Sequence, residues 1–139
     1  NETEPRARSM YELETGRDVV QCGFIPDAML ENTGASPDGL VGNLGLIEIK
    51  CPQPAKHIKN LMGGTIDKAY HLQMQWQMEC TGREWCDFVS FNASFPDYLQ
   101  LHITRVDADA EAQAEIRASV TSFLANVDAK LKDLEARGK

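Results

Sequence analysis

Asp38, Glu48 and Lys50 are set around the glycine-rich stretch GASPDGLVGNLGLIEIK, residues 34–50, whose other residues are mostly apolar and strand-forming. Charges held against a sheet are costly unless something pairs with them. The pairing is either a structural ion pair or a metal site. On a strand, side chains two apart share a face. Glu48 and Lys50 therefore point one way, and Ile47 and Ile49 point the other way into a core. A hairpin folded at Gly42 to Gly45 brings Asp38 beside Glu48. Two carboxylates so placed repel, and a divalent cation relieves the repulsion. Oxygen ligands alone suit Mg²⁺ or Mn²⁺ and do not suit zinc. Mg²⁺ keeps several waters, which leaves room for a phosphate oxygen. Lys50 can then orient or deprotonate a water, or neutralise charge developing on phosphorus. Phosphodiester hydrolysis is the reaction that gives all three residues work. On spacing alone a plainer arrangement serves equally well: a surface Glu48–Lys50 ion pair, with Asp38 capping a turn after Pro37.

The elements around this stretch follow from periodicity and breakers. Residues 4–14 carry Ala7, Met10, Tyr11 and Glu14 at helical spacing, with Pro5 in the first turn and Gly16 as the stop. DVVQCGFI, residues 18–25, reads as one strand, Pro26 to Glu31 as a turn, and Asn32 to Ser36 as a short second strand. GLIEIK, residues 45–50, is the third. After Pro52 and Pro54 come a short helix or loop to Leu61, a Gly63-Gly64 joint, and a helix from Asp67 to Cys80 stopped by Thr81-Gly82. EWCDFVSFN and YLQLHITRV flank Pro96-Asp97 and read as a hairpin. From Ala108 to Ala136 one long helix places Ala112, Ile116, Val120, Phe123, Val127, Leu131 and Leu134 on a single stripe, read as an intramolecular packing face. This order predicts an α/β (mixed α+β) fold, a mixed sheet packed by helices.

A chain of 139 residues with 42% apolar and 25% charged residues suits one globular domain, 1–139. No apolar run approaches the roughly 18 residues a spanning helix needs, so no membrane role is expected. Cys22, Cys51, Cys80 and Cys86 lack CxxC spacing, which gives zinc or an iron–sulfur cluster little support and leaves four reduced thiols in a cytosolic protein. The net charge of −7 runs against the basic footprint of nucleic-acid binders. The acidic residues gather at the ends, and a Mg²⁺ bound between Asp38 and Glu48 would add positive charge at the centre. The chain begins at Asn1 without Met, as expected of a processed or trimmed protein lacking an N-terminal region.

Ser36-Pro37-Asp38-Gly39-Leu40, then Gly45-Leu46 and Glu48-Ile49-Lys50-Cys51-Pro52, closely resembles the active-site segment of lambda exonuclease and the YqaJ-type viral recombinases, a branch of the PD-(D/E)xK nuclease superfamily. Glu4-Pro5-Arg6-Ala7-Arg8 to Tyr11-Glu12 resembles that family's helix before the core, and Ala69-Tyr70 with Gln73 and Gln75 its glutamine-bearing helix. The resemblance covers roughly residues 1–95. It implies a restriction-endonuclease-like core and Mg²⁺-dependent digestion of linear duplex DNA from its ends, 5′ to 3′, leaving a 3′ single strand for an annealing protein. It further implies a possible homotrimeric ring and work in the cytoplasm of a bacterial host, from a phage or prophage. Matched position by position, Asp38 and Glu48 bind metal, helped by the backbone carbonyl of Ile49 and by Glu4, with Glu2 as the competing choice. Lys50 serves the attacking water, Gln73 lies near it, Ser36 lies near the 5′-phosphate, and Tyr70 belongs with the substrate contacts.

Simpler readings stand beside these. Gln73, Gln75 and Gln77 suit a solvated helix face as well as a site. Trp76 and Trp85 could stack on bases, but packing is the simpler role. His57 and His71 are assigned nothing. Two other functions fit the same residues: an endonuclease or nicking enzyme on the same core, and a non-catalytic DNA-binding domain. An exonuclease needs an end, so a circular duplex separates the first from the leading reading. Intact Asp38, Glu48 and Lys50 argue against the second.

Overall fold

A computed structural model describes residues 3–138; Glu2 lies outside them. Helix α1, Thr3–Thr15, buries Ala7 and Tyr11 and ends at Gly16, whose φ of +70° is the left-handed stop a glycine takes most readily. Strand β5, Gly45–Lys50, is buried nearly throughout. On one side Ile47 and Ile49 join Ala7, Tyr11, Val41, Val89 and Phe91. On the other, Leu46 packs with Met74, Met78, Cys86, Phe88 and Val106. The sheet therefore lies between α1 and α3, Lys68–Thr81, and the alternation read from GLIEIK holds.

Five strands form the main sheet, in the order β1, Val19–Val20; β4, Gly39–Val41; β5; β6, Trp85–Phe91; and β7, Leu101–Asp107. The β5–β6 pair is parallel, its crossover running through α2, Pro54–Leu61, and α3; the other pairs are antiparallel. This is the mixed α/β sheet flanked by helices that the order of elements predicts. Among the described residues, no helix is long and apolar enough to cross a membrane.

Several boundaries differ from expectation. The single strand over 18–25 is two fragments: β1 joins the main sheet, while β2, Ile25–Pro26, pairs with β3, Gly34–Ala35, in a separate ribbon. Between the fragments Gln21, Cys22, Gly23 and Phe24 belong to no strand, and Phe24 is 60% exposed. Asn32 adopts φ +59°, which turns the chain and shortens the strand expected over 32–36. Gly34 is required in this ribbon, because a Cβ there would collide with the Ile25 carbonyl. Tyr98 belongs to a 3₁₀ turn, Asp97–Leu99, and not to β7.

The last helix, α4, spans Ala110–Arg137, with the Asp109 carboxylate accepting from the amides of Glu111 and Ala112. Its apolar stripe divides. Ala112, Ile116 and Val120 are half-buried, whereas Phe123, Val127, Leu131 and Leu134 are exposed. Only the first half of the stripe is an intramolecular packing face.

Candidate active site

The β4–β5 hairpin turns through Gly42, whose φ of +58° suits glycine, and pairs Val41 with Gly45 and Gly39 with Ile47. One step further along that register puts Asp38 opposite Glu48. There β4 has ended, and the Asp38 carboxylate takes the place of a strand partner by accepting from the Ile49 N–H at 2.7 Å. Glu48 lies on the α3 face of the sheet. Its Oε2 accepts from Gln77 Nε2 at 3.2 Å, while Oε1 meets Gln73 Nε2 at 3.5 Å and Lys50 Nζ at 3.3 Å. The Glu48–Lys50 pair exists, but it is no surface ion pair, since the Glu48 side chain is only 4% exposed. Lys50 Nζ also stands 4.5 Å from the centre of the Tyr70 ring, which packs beside Phe88.

Glu4 reaches this corner from the first turn of α1. Its carboxyl group lies within hydrogen-bonding reach of Asp38, and Arg8, one turn on, approaches Glu4 at 3.9 Å. The electrostatics record the crowding. Burial raises the pKa of Asp38 above its ordinary value; the Ile49 N–H opposes this and Glu4 adds to it. Burial also raises the pKa of Glu48, Asp38 raises it further, and Gln77 and Lys50 pull it down.

Asp38 thus meets Glu4 on one side and Glu48 on the other. Among the described residues, no three His, Cys, Asp or Glu side chains make a cage that would hold an ion unaided. The donor set is all oxygen, and its unrelieved repulsion is what a divalent cation would offset. The four cysteines are free thiols and contribute none of these contacts.

Glu4, Asp38, Glu48, Ile49, Lys50, Tyr70 and Gln73 come together. Ser36 is exposed, two residues before Asp38. Beside Lys50 and Tyr70 opens a cavity of about 300 Å³, lined also by Lys56, Asn60, Asp67 and Phe88. Gln73 is exposed, but Gln75 and Gln77 are buried, at 0% and 3% exposure, so the solvated-face reading fails for those two. Gln75 binds the Asp107 carbonyl and the Asp109 amide, pinning the start of α4. Gln77 is the contact that pattern reading missed, although residues four apart on a helix share a face and Gln73 pointed to it. Trp76 donates to the Gly34 carbonyl, and Trp85 stacks under Arg105, so both are packing residues. His57 is buried between Ser90 and the Leu99 carbonyl.

Comparison with known proteins bears on the same segment. The model of the YqaJ-like viral recombinase domain matches residues 1–84. Among solved structures, an alkaline exonuclease (LHK-Exo) from Laribacter hongkongensis is 46% identical over 99% of this chain and 71% of its own, with a TM-score of 0.95. LHK-Exo in complex with dAMP matches at 46% identity over 99% and 70%, with a TM-score of 0.94. A phage related exonuclease from Haemophilus somnus 129PT is 17% identical over 96% and 71%, with a TM-score of 0.69, a likeness of fold alone. No curated protein sequence matches. The fold is the restriction-endonuclease-like one, and with more than half its length matched, the chain belongs to the YqaJ-like viral recombinase domain family.

Proposed function

We propose that this chain is a Mg²⁺-dependent exodeoxyribonuclease that digests linear duplex DNA 5′ to 3′ in phage-type recombination, leaving 3′ single strands. One observation carries the reading: Asp38 stands opposite Glu48 at the end of the β4–β5 ladder, with Lys50 at 3.3 Å from Glu48. The 46% identity to an alkaline exonuclease supports it, and dAMP, a mononucleotide, is what that relative binds.

Asp38, Glu48, Glu4 and the Ile49 carbonyl would hold the metal, for which Mn²⁺ can substitute. In a strand the N–H and C=O of one residue leave on the same edge. The Ile49 carbonyl therefore opens toward Asp38, as its N–H does. When bound, Mg²⁺ polarises the phosphoryl oxygen and offsets the carboxylate charge. Lys50, held by Glu48 and Tyr70, orients the water that adds to phosphorus as the P–O3′ bond breaks, and its ammonium counters the developing charge. Gln73 supplies an amide at the exposed mouth of the site. Ser36 contacts the 5′-phosphate, and Tyr70 borders the cavity beside the substrate. The family resemblance supports DNA ends, a single-strand annealing protein and a homotrimer as partners, in the cytoplasm of a bacterial host.

The test is nucleotide release from linear 5′-phosphorylated duplex DNA in Mg²⁺, with EDTA and Lys50→Ala as controls. Release lost in both controls, with a closed circle spared, is the expected result. Nicking of the circle would make the protein an endonuclease. DNA binding without turnover by folded wild type would make it a binding domain.

A further inference from the structure

The two oxygens of Glu48 are held unequally. Oε1 faces the exposed side of the site, beside Lys50 and Gln73. Oε2 is turned inward to Gln77, the buried residue of the pair, at 3.2 Å. Gln77 makes this bond at a cost, because its own Oε1 is buried with no hydrogen-bond partner. Turning the amide over would not relieve that cost, since the amide oxygen would then face the carboxylate. The carboxylate therefore dictates the orientation of Gln77. Nor is the bond needed to seat α3: Met74 and Met78 fill the core beneath the helix, and Gln75 ties it to Asp107 and Asp109.

We propose that Gln77 is a positioning residue that locks Oε2 of Glu48 and so reserves Oε1 for the metal; this rests on the nuclease reading above. Contacts of this kind to a ligating carboxylate typically change metal affinity or activity 10–100-fold. Gln77 acts through Glu48 and is not itself a catalytic residue.

Two variants of the 139-residue chain test it. Gln77→Met keeps volume and helix propensity but removes the donor, and Gln77→Asn withdraws the donor by one methylene. Mn²⁺ binding is measured by calorimetry without DNA, the Mg²⁺ dependence of nucleotide release is measured with DNA, and thermal melting is followed beside both. The expected result is Mn²⁺ affinity weakened about 10-fold or more, half-saturating Mg²⁺ raised by a similar factor, turnover largely restored at excess Mg²⁺, and a melting midpoint near wild type. If either folded variant binds Mn²⁺ as wild type does, the proposal is wrong and the nuclease reading stands. Wild type that binds Mn²⁺ but digests no DNA would remove the nuclease reading, while the calorimetry still decides on Gln77. Wild type that binds no Mn²⁺ would remove both. If neither variant folds, Gln77 is a structural strut and the proposal falls.

Discussion

Asp27 and Glu48 are both sealed from water, their side chains 2% and 4% exposed, yet their surroundings drive them in opposite directions. Arg117 of α4 grips Asp27 with two hydrogen bonds of 2.7 and 3.1 Å, and the amides of Met29 and Leu30 complete its shell. The same guanidinium reaches Glu79 of α3 at 2.7 Å. Arg117 holds the Asp27 carboxyl well below the ordinary carboxylate range. Glu48 receives two side-chain amides and a lysine but faces Asp38, and burial pushes its pKa up. At Asp27 a full set of donors closes the site and knits α4 to the loop after β2. At Glu48 the amides of Gln73 and Gln77 and the Lys50 ammonium do not offset burial and the neighbouring Asp38 charge, so its pKa stays raised. A buried acid with every oxygen answered is holding the fold together. One whose donors do not offset its burial and an adjacent carboxylate is a candidate for binding a ligand.

Substitutions can break that contrast. The largest effect expected is on turnover: Asp38→Asn or Lys50→Ala should lower nucleotide release about 10³-fold or more while leaving the fold intact, measured by single-turnover digestion beside circular dichroism. Next, Arg117→Met leaves Asp27 and Glu79 buried without their cation, at a cost of about 3–5 kcal/mol. Urea denaturation should show it, and release per folded molecule should stay unchanged.

Smaller and opposite in sign is the effect of the carboxylate corner on the metal-free fold. The folded-state pKa values of Asp38 and Glu48 both lie above the ordinary 3.8 and 4.5. The folded chain therefore holds those protons more tightly than the unfolded one does. The resulting stability is fully present below the ordinary carboxylate range and is lost as pH rises through the raised values. In EDTA, Asp38→Asn should raise the melting midpoint at neutral pH by roughly 3 °C and flatten its fall with pH. A midpoint that drops would mean the corner is a structural pair after all. The smallest effect belongs to the outer half of α4. Leu131→Ser, at a residue 53% exposed, should shift stability by less than about 0.5 kcal/mol.

The site was more legible than the scaffold around it. Asp38, Glu48 and Lys50 sit within a dozen residues, so one hairpin and the two-residue period of a strand bring them together, and the register Gly39 to Ile47 does so. Glu4 and Gln73 were reached through the family resemblance, since nothing local ties either to the hairpin. The β1 and β2 fragments were misjudged because strand-forming residues at 18–25 say nothing about which neighbour pairs with each end. Gln77 escaped because glutamine is common on solvated helices, and only the packed sheet shows which of three alternating glutamines face inward.

By itself the sequence determined the helices, the alternation along GLIEIK, the hairpin and the family, because each rests on short-range spacing or on a contiguous string. Tertiary structure alone decided which charges were relieved. Arg117 finds Asp27 across 90 positions, and Gln77 finds Glu48 across 29. Whether a buried carboxylate is braced or left strained depends on donors that only the packing of distant elements delivers.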